Sequence, residues 1–233
     1  MGEKITIYHG SEYVIEKPEL KIGKLNNDYG QGFYCTNDCE KGKEWACKNN
    51  KDGFLNEYEL EITNLKILNL FDEKYSILNW IALLLNNRRF VFDSPVSIMA
   101  KEYILNNFLI DTDVYDVIIG YRADDSYFSY ANGFISSALS LNSLNKALRL
   151  GHLGTQIVLV SEKAFNNITF KKSIKAEKSI YYPKYCTRDK MARIEYINLI
   201  KNNKDALNDL FILDIMRGEI KNDDARIQRI ISK

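Results

Sequence analysis

Apolar and polar positions alternate along Lys4–His9, KITIYH, which predicts a strand ended by Gly10-Ser11. Ser11 to Asp28 has little periodicity and holds Pro18, so it reads as a loop, with turn formers clustered at Asn26, Asn27, Asp28 and Gly30. A second short strand follows at Gly32–Thr36. Asn37 or Asp38 then caps a helix reaching to about Asn49. Phe54–Ile62 alternates strictly and predicts a third strand. Asn64–Phe71 predicts a fourth after a turn. Ile77, Leu78, Ile81, Leu84 and Leu85 recur at helical spacing, which predicts a buried helix over Tyr75–Asn86. A second helix is expected over Pro95–Phe108, with Ser94 as cap and proline at its first position.

Val114–Tyr121 is almost continuously apolar, as in a strand covered on both faces. Helices are expected over Asp124–Leu139 and Ser143–Leu150, strands over Thr155–Ser161 and Ile168–Ile174, and a helical turn at Glu162–Asn166. Two charged helices, Asp189–Asn202 and Asp205–Lys221, close the chain. The strands do not alternate regularly with the helices. That predicts an α+β fold rather than a doubly wound parallel sheet.

Composition narrows the function classes. Of 233 residues, 45% are hydrophobic, enough for a real core. Lys plus Arg number 32 against 31 Asp plus Glu, so no overall field draws in nucleic acid. Cys35, Cys39, Cys47 and Cys186 form no CxxC pair and only two histidines exist, which argues against a zinc site and for free thiols. No signal-peptide pattern opens the chain, and its longest apolar run, Trp80–Leu85, is too short to span a bilayer. A soluble, cytoplasmic protein is expected.

The candidate chemistry centres on Gly30–Lys48. Tyr34 lies near the end of a strand, and Trp45 follows eleven residues later on the next helix. Two such rings can flank a gap suited to a flat aromatic ligand, with His9 and Gln156 as polar contacts. A lone histidine at a strand end is ordinarily structural. Its functional reading is a donor to a ligand hydroxyl through whichever ring nitrogen is protonated. Asn27 to Gln31 either wall the same gap or form a plain turn. Past the buried strand, Arg122 is a candidate phosphate contact, and Asp124 or Asp125 either acts as a base toward an acceptor or merely caps the following helix. Tyr181-Tyr182-Pro183-Lys184-Tyr185 reads as a packed loop, or as an aromatic, basic surface for bases or a protein target.

Taken together, YHGS at Tyr8–Ser11, GFYCT at Gly32–Thr36 and the aromatic eleven residues past Tyr34 resemble the NAD-binding half of ADP-ribosyltransferases, in the diphtheria-toxin-like and poly(ADP-ribose)-polymerase-like branch. NDYGQGFYCT, KEWA, YDVIIGYRADDSYF, ALRLG, GTQIVL and YYPKY, in that order from about Ile5 to about Glu195, resemble a bacterial family known as DUF3990 that is assigned to that superfamily. The resemblance implies a split mixed or antiparallel sheet with flanking helices, an NAD-binding domain over 1–183, and a helical extension over 184–233 packed on it. It implies NAD as co-substrate, bound by His9, Gly10, Ser11, Asn27, Gln31, Tyr34, Trp45 and Gln156, with His9, Tyr34 and Gln156 as the catalytic set and no metal. It further implies transfer of ADP-ribose to a macromolecular acceptor, protein more than nucleic acid, in a toxin or conflict setting with a small antitoxin as partner.

The family pattern carries a glutamate just before an apolar run on a late strand. Gln156 stands there in TQIVL, with Thr155 as the alternative one residue earlier. Glutamine keeps a hydrogen bond to a ribose hydroxyl but not the negative charge that favours a cationic sugar. Transfer, NAD hydrolysis and binding without turnover all remain open at this point.

Overall fold

The computed structural model describes residues 2–122, 125–148, 150, 154–201 and 209–227. Seven strands form one mixed sheet: β1 (Lys4–Ser11), β2 (Phe33–Thr36), β3 (Gly53–Glu61), β4 (Ile67–Asn69), β5 (Val117–Tyr121), β6 (Thr155–Leu159) and β7 (Ile168–Ala176). Their order is β4-β5-β6-β2-β1-β3-β7. Only β4 and β5 run parallel; the other neighbours are antiparallel. The α+β class expected from the pattern is the one observed.

One seam in this sheet is nearly open. β1 and β3 pair continuously from Lys4↔Glu61 to Ser11↔Phe54, and β2 and β6 pair from Phe33↔Leu159 to Thr36↔Gln156. Between β1 and β2 a single pair is recorded, Tyr8↔Thr36. A half of four strands and a half of three therefore meet at one point. Beyond it they diverge, leaving backbone groups that a ladder would otherwise pair.

Two cores cover the sheet. On one face, Ile7, Phe33, Cys35, Tyr58, Leu60, Val117, Ile157 and Leu159 pack together. On the other, Ile118 and Val158 pack under α2 (Ile77–Asn87), α3 (Pro95–Phe108), α4 (Asp125–Ile135) and α5 (Leu141–Ala147). Every residue from Ile77 to Leu85 is buried, which is why α2 reads as nearly continuous apolar sequence. Its start is fixed by a capping box between Ser76 and Asn79. Each fully buried leucine there contributes about 1.5–3 kcal/mol.

Helix α1 (Cys39–Ala46), capped by Asp38, lies against β1 and β3 at backbone distance. A Cβ on Gly10 would meet the Gly42 carbonyl oxygen at 2.1 Å, and one on Gly42 would meet Leu55 Cδ1 at 2.3 Å. This pair of glycines lets the helix sit flat on the strands. A short α6 (Glu162–Asn166) precedes β7, and α7 (Lys178–Lys201) packs on α1, α4 and α5. The last described helix, α8 (Ile212–Arg217), packs on α3.

Three expectations change. β1 runs on through Ser11 because Gly10 and Ser11 pair with Leu55 and Phe54. The fourth strand shrinks to Ile67–Asn69, a parallel edge strand matched only to β5. Tyr181–Tyr185 is helix rather than loop, and a boundary at 183/184 falls inside α7. The helix begins early because Asp52 Oδ1 accepts the Lys178 backbone N–H at 2.9 Å. Pro183, near its start, removes one backbone hydrogen bond without ending it.

Candidate functional site

The open seam leads into a cleft of about 1050 Å³. His9 lines it from β1, Gly32, Phe33 and Tyr34 from β2, Gln156 from β6, Trp45 from α1 and Tyr185 from α7. The loop from Ile15 to Asp28 forms the remaining wall, together with Arg88 at the end of α2. Asn56 and Tyr58 of β3 hold the start of that loop. The Asn56 amide accepts the Ile15 N–H at 3.1 Å and donates to the Tyr13 carbonyl at 3.1 Å, and the Tyr58 hydroxyl donates to the Ile15 carbonyl.

At the seam, His9 Nδ1 lies 2.7 Å from the Tyr34 carbonyl oxygen, and its ring stacks on Phe33 at 4.4 Å. A carbonyl only accepts, so Nδ1 carries the proton. Burial lowers the His9 pKa, so the ring is neutral at pH 7 and Nε2 bears a lone pair. The ring nitrogen left over is thus an acceptor, where the sequence predicts a donor at His9. The bond also occupies a backbone acceptor at the open seam between β1 and β2.

Tyr34 is committed in the same way. Its hydroxyl donates to the Gly30 carbonyl at 2.6 Å and accepts the Tyr29 N–H at 3.1 Å. Burial raises its pKa, and the neutral phenol stitches the 29–30 turn onto β2. Gly30 adopts φ of 76°, a conformation that suits glycine. Asp28 is buried and accepts from Arg88 Nε at 2.7 Å, which ties the same turn to α2. What Tyr34 offers the cleft is its ring.

Gln156 differs. It lies beside Thr36 on one side and Gly120 on the other, on the sheet face shared with Tyr34. Only 7% of it is exposed, yet its Oε1 is a buried acceptor with no hydrogen-bond partner among the described residues. An orphaned carbonyl oxygen costs about 1–3 kcal/mol. Gln156 lines the cleft, but this oxygen is itself closed off, so a donor in the cleft reaches it only when the amide turns.

The other expected residues divide. Trp45 lines the cleft but also carries cations: Arg122 Cζ is 3.7 Å from its ring centroid and Lys48 Nζ is 4.0 Å. Arg122 is buried against the indole, so a role at a ligand phosphate is not prepared, and Trp45 is less open as a stacking partner than its spacing suggested. Gly10 is filled by α1, as shown above. Ser11 accepts from the Tyr13 N–H at 3.2 Å, and neither residue lines the cleft. Asn27 does line it. Gln31 does not, because its amide donates to the carbonyls of Lys21 and Gly23 at 2.6 and 2.8 Å and so braces the loop. Asp124 lies outside the described residues, and Asp125 opens α4.

A family model with the description "Protein of unknown function (DUF3990)" matches residues 5–170, which hold β1 from Ile5 through β6 and most of the cleft. The chain belongs to the DUF3990 family. No curated protein and no solved structure matches it. The DUF3990 segment stops inside β7, so α7 and its Tyr185 lie beyond it.

Lys17, Lys24, Lys48 and Arg88 line the cleft against only Glu19 and Asp28, and the latter is already paired with Arg88. The DUF3990 cleft is therefore locally basic in a chain of net charge +1. Isolated lysines and an arginine at a loop gave no signal in the sequence, because chain folding alone gathers them. Among the described residues no helix is long and apolar enough to cross a membrane, and no group of three His, Cys, Asp or Glu could hold a metal ion.

Proposed function

We propose that this DUF3990 protein binds NAD in the cleft at the open seam and transfers its ADP-ribose to a macromolecular acceptor, as its resemblance to ADP-ribosyltransferases implies. The observation that carries the reading is the meeting of His9, Tyr34 and Gln156 on one locally basic cleft, although they lie far apart in sequence. The Tyr34 ring supplies a π-face for the flat nicotinamide. His9 Nε2 and Gln156 Oε1 are two acceptors, matched to ribose hydroxyls that donate. The lysines of the lining suit the pyrophosphate.

In the reaction the bond between nicotinamide nitrogen and ribose carbon breaks. Its electron pair leaves with nicotinamide, which departs neutral. An acceptor nucleophile attacks the electron-poor sugar carbon and gives up its proton. Gln156 Oε1 brings a carbonyl dipole to that centre. A dipole stabilises developing positive charge less than a carboxylate does.

That weakness favours a second reading, binding of NAD or ADP-ribose with little or no turnover; hydrolysis of NAD to free ADP-ribose stands between the two. We infer transfer first, to protein rather than nucleic acid, with a small antitoxin as a possible cognate partner. Calorimetric titration with NAD tests the base of all three readings, and Tyr34→Ala is expected to weaken binding about tenfold or more. An unchanged affinity in that variant counts against the cleft. Labelled NAD incubated with lysate then separates them: label in a macromolecule supports transfer, free ADP-ribose hydrolysis, and intact NAD binding alone.

A further inference from the structure

Helix α7 reaches the cleft beside α1, and two ion pairs join the helices there. Arg188 Nε pairs with Glu44 Oε2 at 2.8 Å, both side chains being at least nine-tenths buried. Four residues earlier on α7, Lys184 pairs with Glu40 at 3.1 Å, one turn before Glu44 on α1. Apolar packing shares in holding this end, where Tyr181 and Tyr182 lie against Ala46, Cys47 and Ala176, but Ile180 beside them is exposed. An ion pair out of water demands one geometry, so it fixes the rotation and register of a helix more sharply than its strength alone suggests. The residue brought to the cleft by that register is Tyr185, with Arg188 Cζ 5.4 Å from its ring centroid.

We propose that Tyr185 is a specificity-determining residue, an aromatic wall for a planar heteroaromatic base at the end of the ligand remote from Tyr34, and that the Glu44–Arg188 pair positions it. This rests on the reading of the cleft as a dinucleotide site. Under that reading Tyr34 takes nicotinamide at the seam. Trp45, Lys48 and Tyr185 gather on the α1 side, where the second base would lie beyond the phosphates. Tyr185 lies beyond residues 5–170 matched by the family model, although the YYPKY that holds it is among the segments that resemble the family.

The test is a set of titrations of the full chain and its Tyr185→Ala variant with NAD, ADP-ribose and nicotinamide mononucleotide. Losing a base–aromatic stack is expected to weaken NAD and ADP-ribose about tenfold while nicotinamide mononucleotide, which lacks the second base, is bound as before. Tyr185→Phe keeps the ring and recovers most of the loss. Glu44→Gln is expected to reproduce the selective loss in part, with melting temperature followed to register any global effect. Equal affinities for NAD in wild type and Tyr185→Ala overturn the inference and leave the NAD reading standing. Parallel losses for all three ligands overturn it too, since they mark a structural role. A wild-type chain that binds none of the three overturns the NAD reading, and the inference with it.

Discussion

Tyr34 and Gln156 lie on adjacent strands, on one face and in one cleft, yet their polar atoms are used in opposite ways. The Tyr34 hydroxyl accepts one backbone N–H and donates to one carbonyl. Its neighbour His9 spends Nδ1 on the Tyr34 carbonyl. His9 repairs backbone that the open seam leaves unpaired, and Tyr34 ties the 29–30 turn to β2. Gln156 repairs nothing with its oxygen, which is buried and unpartnered among the described residues. One wall is finished by folding; the other holds an acceptor for something else. Such orphan atoms are few in native proteins and call for an explanation; Ser173 Oγ, away from the cleft, is another.

The largest effect expected from disturbing this contrast is at Gln156 itself. With NAD in the cleft as proposed, Gln156→Glu adds a charge at the wall that would face its sugar. A single well-placed electrostatic group changes turnover by about 100-fold or more. Release of nicotinamide from NAD by the Glu variant should rise by about that factor, measured by chromatography. No rise, in a variant that still binds NAD, would mean that Gln156 does not stand where ADP-ribosyltransferases carry their glutamate, and Thr155→Glu becomes the comparison to make.

Stability should move in opposite directions at the two walls. Tyr34→Phe keeps the ring but strands the Tyr29 N–H and the Gly30 carbonyl, a loss of about 1–3 kcal/mol. Gln156→Leu removes an unsatisfied oxygen at similar volume. It should be neutral or stabilising by up to about 1 kcal/mol, while ligand affinity falls. Urea unfolding of both variants reads the signs directly. Two losses of equal size would erase the distinction between a finished and an unfinished wall.

How much of this was legible beforehand follows from the range of each interaction. The strands and helices carrying His9, Tyr34, Trp45 and Gln156 were readable because periodicity is local. Their meeting was available only through resemblance, since nothing in Gln156 itself points to Tyr34. Trp45 does line the cleft, but aromatic spacing says nothing of cations brought by other elements, here Arg122 after β5. The resemblance put Gly10 among the NAD contacts, but the space where its Cβ would lie is filled by the Gly42 carbonyl. The early start of α7 depends on Asp52, which is 126 positions away in sequence. Its consequence, Tyr185 in the cleft, could not be read from YYPKY, where proline argues for a loop.

The smallest expected effect is a pH dependence of the finished wall. Burial sets the His9 pKa below its ordinary 6.5 in the folded chain. Above 6.5 the ring is neutral folded or unfolded and contributes no slope. As pH falls through 6.5, the unfolded chain binds a proton that the folded chain resists, so stability declines until the folded pKa is passed. The slope is at most about 1.4 kcal/mol per pH unit. Most carboxylates remain ionised between about pH 5 and 6.5, so histidine dominates that window. The only other histidine is His152. Urea midpoints across this range should lose their slope in His9→Gln, whose amide can still donate to the Tyr34 carbonyl, and keep it in His152→Gln. If the slope instead follows His152, the imidazole at the seam is not held neutral by burial, and its Nε2 is not an acceptor facing the ligand.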